Sequence, residues 1–77
     1  MNIEIYGADW CSYCNQAKLL CEINDLGYKY HDIGEGDNAL TMLQRAVGTS
    51  LPQIFIDNHH IGGYTELKEY LDGEEES

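Results

Sequence analysis

Ile3-Glu4-Ile5-Tyr6-Gly7-Ala8-Asp9-Trp10-Cys11-Ser12-Tyr13-Cys14 is the stretch on which the fold turns. Ile3 and Ile5, with Glu4 between them and Tyr6 after, alternate as a short strand does. Gly7-Ala8-Asp9 is a polar break. From Ser12 to Leu26 the apolar residues fall at helical spacing, Cys14, Ala17 and Cys21 on one row with Leu20, Ile23 and Leu26 beside it. Cys11 therefore lies at a helix N-terminus, where unpaired backbone N–H groups and the helix dipole favour an anion such as a thiolate. Three residues on, Cys14 has turned onto nearly the same face, close enough to close a small disulfide ring. One exposed, acidified thiol beside a partly buried one is the arrangement thiol–disulfide exchange needs. Cys11 is expected to attack, and Cys14 to resolve the mixed disulfide.

A magnitude says what the acidified thiol is for. A free thiol of pKa about 8.5 is ~3% thiolate at neutral pH, so full ionisation gains roughly 1.5 log units of attack rate. Intrinsic nucleophilicity falls by ~0.4–0.5 log units per pKa unit and cancels most of that gain. What survives is leaving-group ability, when Cys11 is expelled from a mixed disulfide.

Outward from this stretch the pattern keeps alternating. Gly27 stands where a left-handed residue ends the first helix. Tyr28-Lys29-Tyr30-His31-Asp32-Ile33 reads as a strand, and Asp37 is placed to N-cap the second helix. Leu40, Leu43 and Val47, with Met42 and Ala46, predict that helix as amphipathic and stopping at Gly48. Ile54-Phe55-Ile56 suits a strand covered on both faces, Asp57-Asn58 is turn chemistry, and His60-Ile61 is enough for a return strand. Gly62-Gly63 breaks it. Thr65 to Leu71 predicts a last helix, with Leu67 and Leu71 at i and i+4. Gly73 and Glu74-Glu75-Glu76-Ser77 read as a frayed acidic tail, which puts the domain at 1–72 and a disordered tail at 73–77. The predicted order is β-α-β-α-β-β-α, an α/β chain with one right-handed βαβ unit.

At 77 residues this is one small domain with a thin core, since a chain of this size buries only ~60% of its unfolded surface. Four Lys+Arg against 14 Asp+Glu give a net charge of −10, which argues against nucleic acid and against an anionic membrane surface. Three cysteines crowded into the first third do not make the even, spread set of a secreted disulfide scaffold. The start has neither a basic segment nor a long apolar run, so no signal peptide is expected, and nothing approaches a membrane span. A reducing, cytoplasmic compartment is the expectation. A lone CxxC can also be half of a zinc site, with Cys21, His31, His59 and His60 as the remaining donors. Cys21 reads better as a small core residue, and His59 and His60, adjacent in a strand, point to opposite faces. Redox chemistry is the favoured reading, and no metal ligand is assigned.

Three separated segments together resemble glutaredoxins: Cys11-Ser12-Tyr13-Cys14, Ser50-Leu51-Pro52-Gln53-Ile54-Phe55-Ile56-Asp57, and His60-Ile61-Gly62-Gly63-Tyr64-Thr65-Glu66-Leu67. The likeness runs from Asn2 to about Leu71, and the short length looks like that of the small bacterial or phage-type members. It implies a thioredoxin fold in its minimal form, a four-stranded mixed sheet flanked by helices. It also implies glutathione-dependent reduction of protein disulfides or glutathione mixed disulfides. By the resemblance Pro52 is a cis proline facing the cysteines, and Leu51 offers its backbone to the cysteinyl unit of glutathione. Gly62-Gly63 lets the chain approach the ligand, the N–H groups of Tyr64 and Thr65 bind the γ-glutamyl carboxylate, and Tyr13 walls the groove. The clients implied are disulfide-bearing proteins, ribonucleotide reductase among them, met by a monomer.

Departures from the family pattern carry their own expectations. Many glutaredoxins have a lysine three residues before the first cysteine, where this chain has Ala8 and then Asp9. The segment Gly48-Thr49-Ser50-Leu51-Pro52 is one residue shorter than usual and lacks the family's cation, for which Arg45 is the nearest substitute. Weaker, salt-sensitive binding of an anionic tripeptide and a less acidic Cys11 should result. Ser12 replaces the commonest proline. It either N-caps the helix or marks the Trp-Cys-Ser-Tyr-Cys pattern of relatives that assemble a glutathione-ligated [2Fe–2S] dimer. A third reading draws electrons from a thioredoxin reductase, against which the Gly62-Gly63-Tyr64-Thr65 segment argues.

Overall fold

β1 (Ile3–Gly7) lies inside the sheet because all of it but half-buried Glu4 is buried. The computed structural model describes residues 1–46 and 48–76, with backbone alone for 74–76; the expectation for Val47 falls outside them. The sheet order is β2-β1-β3-β4, with β2 at Tyr28–Asp32, β3 at Gln53–Ile56 and β4 at His59–Gly62. β1 runs parallel to β2, Ile3 opposite Tyr28 and Gly7 opposite Asp32. It runs antiparallel to β3, which pairs antiparallel with β4. This is the four-stranded mixed sheet of the thioredoxin fold, in the expected element order. The β3–β4 turn is tight because Asp57 and Asn58 take φ of 51° and 69°, a left-handed conformation those residue types tolerate.

The period of two divides the core. Ile3, Ile5, Ile54 and Ile56 face Ala17 and Cys21 of α1 (Ser12–Ile23) and Leu67 and Leu71 of α3 (Tyr64–Glu76). Tyr6 and Phe55 point to the other face and meet Met42 of α2 (Asn38–Arg45). Two helices thus cover one face and a single short helix the other.

Helix ends differ from the sequence expectation in four places. α1 stops at Ile23, not Leu26, and the left-handed residue is Asp25 (φ 55°) instead of Gly27. Asp25 N–H donates to Glu22 O at 3.1 Å and Leu26 N–H to Cys21 O at 2.9 Å, the paired closure of a Schellman end. Asp37 holds the N-cap position of α2, but its side chain makes no cap bond. α2 itself ends at Arg45, and the extended backbone of Ala46 (φ −108°, ψ 159°) stops it short of Gly48. Its Leu40 and Leu43, expected in the core, are 56% and 52% exposed. Two apolar rows compete on this helix, and the sheet takes the one carrying Met42 and Ala46. Finally, α3 runs on through Gly73 to Glu76, past the expected helix end at Leu71, and Ser77 of the expected tail falls outside the described residues. Glycine inside a helix costs only ~1 kcal/mol, too little to end it.

Candidate active site

Cys11 is the N-cap residue of α1 (φ −93°, ψ 111°), and its Sγ accepts the Cys14 N–H at 3.2 Å. A helix N-terminus leaves such N–H groups without intrahelical partners, so the sulfur satisfies one of them. The same geometry corrects the reading of Ser12 as the cap. Ser12 is the first helical residue, and its Oγ accepts from Gln16 Nε2 at 3.2 Å. Cys11 and Cys14 pair as a disulfide across a Cα–Cα distance of 5.2 Å. Cys14 is fully buried, and Cys11 is only 9% exposed, less open than the sequence expects of an attacking thiol. Ala8, Leu51, Ile33 and Tyr30 close around the pair. Cys21 sits apart in the core with its thiol pushed up by burial.

Gly7 makes this packing possible. A Cβ there would meet Cys14 Sγ at 2.7 Å and the Tyr30 hydroxyl at 2.6 Å. The sequence shows Gly7 only as a break after the strand; its position on the strand facing a CxxC helix was the available signal.

Beside the cysteines runs a groove of about 180 Å³ lined by Tyr13, Ser50, Leu51, Pro52, Gly63, Tyr64, Thr65 and Glu66. Leu51 joins groove and cysteines, since it also packs against the cluster formed by Ala8, Cys11 and Cys14. The Leu51–Pro52 peptide bond is cis. The rings of Tyr13 and Tyr64 face each other at 5.9 Å across one end. Gly62 takes φ 122° and leaves room for the Glu66 side chain, whose Cγ a Cβ would meet at 2.6 Å. All six residues assigned to ligand binding from the sequence surround this groove; Ser50 and Glu66 were missed as lining residues. A glutaredoxin family model matches residues 3–61 of the chain.

The chain belongs to the glutaredoxin family. Glutaredoxin 3 of Escherichia coli K12 is 39% identical, aligning 86% of this chain with 81% of that protein. Glutaredoxin 1 of the same organism is also 39% identical, over 94% of this chain and 99% of its own. The crystal structure of glutaredoxin 1 from Francisella tularensis superposes with a TM-score of 0.80 at 30% identity, covering 99% and 98% of the two chains. As a glutaredoxin the chain is a thiol–disulfide oxidoreductase, and its paired cysteines are a redox-active disulfide.

The electrostatics of this glutaredoxin are set by where its few cations go. Arg45 does not line the groove. Its Nη1 and Nη2 donate to Glu4 Oε1 and Oε2 at 3.0 and 3.1 Å, Nη1 also donates to the Tyr6 hydroxyl at 2.9 Å, and the guanidinium lies 4.0 Å from the centre of the Phe55 ring. These bonds hold the Glu4 carboxyl below the usual range, against burial, with help from His31. Ala8, at the position of the family's lysine, is buried against the cysteines. Among the described residues the one charged side chain lining the groove is Glu66, whose Oε1 accepts the Gly63 N–H at 2.7 Å. That is half of a capping box, and it puts a carboxylate at the positive end of α3. His60 pairs with Gln53 Oε1 at 2.6 Å on β4. Among the described residues no three His, Cys, Asp or Glu side chains are grouped to hold a metal, and no helix is long and apolar enough to cross a membrane.

Proposed function

We propose that this glutaredoxin takes its electrons from glutathione and reduces protein disulfides and glutathione mixed disulfides through Cys11 and Cys14. The observation that carries the reading is the groove, which shares Leu51 with the cysteine cluster and has Tyr13, Pro52, Gly63, Tyr64 and Thr65 around it. In the monothiol half-reaction the Cys11 thiolate attacks the glutathionyl sulfur and expels the client thiolate. A second glutathione then releases Cys11 and leaves as the disulfide. With a protein disulfide, the Cys11 thiolate attacks one client sulfur and expels the other as a thiolate. Cys14 then attacks Cys11 Sγ and expels the second client thiolate, and two glutathiones reopen the Cys11–Cys14 bond and leave as their disulfide.

The ligand would lie with its cysteinyl backbone along Leu51 and its γ-glutamyl carboxylate on the N–H groups of Tyr64 and Thr65, which have no intrahelical partner by position. The clients are disulfide-bearing proteins, ribonucleotide reductase being the one the family suggests, met by a cytoplasmic monomer. The test is to trap glutathione on Cys11 in the Cys14→Ser variant and map amide shifts. Changes centred on Tyr13, Leu51 and Gly63 to Thr65 support the reading. Changes confined to α1, with the groove silent, reject it.

A further inference from the structure

Tyr30 reaches the cysteine cluster from β2, and nothing in the exchange chemistry of Cys11 and glutathione uses its hydroxyl. The ring packs against Ala8, Cys11 and Cys14, while the hydroxyl is sealed from solvent with no hydrogen-bond partner among the described residues. A Cβ on Gly7 would meet Tyr30 Oη at 2.6 Å and Cys14 Sγ at 2.7 Å, so oxygen and sulfur border the same small space over the bare Cα of Gly7 without hydrogen bonding while the disulfide is closed. A buried hydroxyl left unpaired destabilises the fold, and phenylalanine would fill the same space without that penalty. Lys18 Nζ sits 4.2 Å from the centre of the ring, over its face. Burial, then the Asp32 and Asp9 carboxylates, push the phenol up, so it stays protonated and can donate.

We propose that Tyr30 is the hydrogen-bond donor to the Cys14 thiolate that forms when the Cys11–Cys14 disulfide opens. The assignment rests on Cys11 and Cys14 being the reacting pair. An incoming thiolate attacks Cys11 Sγ and bonds to it. The Cys11–Cys14 bond breaks, and its electron pair stays on Cys14 Sγ. That sulfur is 0% exposed, so water does not reach the charge; the Tyr30 O–H beside it does. In the reverse step the Cys14 thiolate attacks Cys11 Sγ, the leaving thiolate departs with the electron pair, and the phenol loses its acceptor again. The oxidised form, with its unpaired hydroxyl, is one end of that cycle. Tyr30 thus favours the open dithiol at the expense of the disulfide.

The experiment compares wild type with Tyr30→Phe, which keeps the ring and removes the oxygen. Equilibration against glutathione or dithiothreitol redox buffers, read by alkylation, gives the disulfide/dithiol constant. The expected result is a shift of about tenfold toward the disulfide, a potential roughly 30 mV more negative, with a parallel slowing of disulfide opening by thiol. In a Cys14→Ser background the same change should leave monothiol turnover within twofold. A Tyr30→Phe constant within twofold of wild type overturns the proposal, as does an equal loss in the Cys14→Ser background, which would assign Tyr30 to packing alone. Full turnover by Cys11→Ser would overturn the reactive-pair reading itself, and the Tyr30 assignment with it.

Discussion

Arg45 grips Glu4 through two parallel bonds, at 3.0 and 3.1 Å, on the face of the sheet that α2 covers. The side chain nearest in sequence to replacing the family's missing groove cation is therefore part of the scaffold. Arg45→Ala should destabilise the protein by about 1–3 kcal/mol, since it strips a half-buried carboxylate of its charged partner. Its KM for glutathione should stay within twofold of wild type. Urea unfolding and steady-state kinetics check the two halves, and a large rise in KM would return Arg45 to the ligand.

The same pair sets a pH dependence. The Glu4 carboxyl is lowered in the folded state, first by Arg45 and then by His31, so the folded chain binds this proton less readily than the unfolded one. Its contribution is fully present above the unfolded carboxylate pKa of about 4.3 and is lost as pH falls through the lower folded value. Wild type should lose stability over that acid window more steeply than Glu4→Gln. Parallel curves for the two proteins would contradict the assignment.

Among the described residues no basic side chain lines the groove, and Glu66 stands at its helix end. With a protein charge of −10, glutathione meets net repulsion. Screening weakens repulsion, so the KM for glutathione should fall as salt rises from low to physiological strength. Ser50→Lys, which puts a cation into the exposed lining, should lower KM by about three- to tenfold at low salt, on the order of 1 kcal/mol. A KM that rises with salt, or does not respond to Ser50→Lys, would reject this picture.

Gly7→Ala tests the packing under the cysteines. Its Cβ would fall 2.7 Å from Cys14 Sγ and 2.6 Å from the Tyr30 hydroxyl. The displacement should cost about 1–3 kcal/mol and disturb disulfide closure. Thermal unfolding of the oxidised protein reads it, and an unchanged midpoint would show that the strand gives way easily.

Asp9, next after the Ala8 that holds the position of the family's lysine, puts a negative charge two residues before Cys11. Asp9→Lys, on an exposed residue, should move the onset of thiolate absorbance to lower pH and speed expulsion of Cys11 from mixed disulfides. An unmoved onset would mean that the helix terminus alone governs the thiol.

Much of this was legible in the sequence because period and motif are local signals. Alternation at Ile3 and Ile5, helical spacing after Ser12 and the apolar run Ile54-Phe55-Ile56 placed strands and the cysteine helix, while the groove residues were named by the glutaredoxin resemblance and not by periodicity. Features settled by competition in three dimensions were not legible. Leu40 and Leu43 lost the sheet to the row with Met42, and Asp25 took the turn that Gly27 suited. Ser12 yielded the cap to a sulfur one residue earlier. Arg45 found a carboxylate 41 residues away, and Tyr30 met Cys14 over Gly7. No window along the chain contains those pairs.

The most direct test of the central claim is turnover of a glutathione mixed disulfide, coupled to glutathione reductase, for wild type, Cys11→Ser and Cys14→Ser. The expected result is activity in wild type, retained activity in Cys14→Ser, and none in Cys11→Ser. Silence in all three, or activity in Cys11→Ser, would contradict the account.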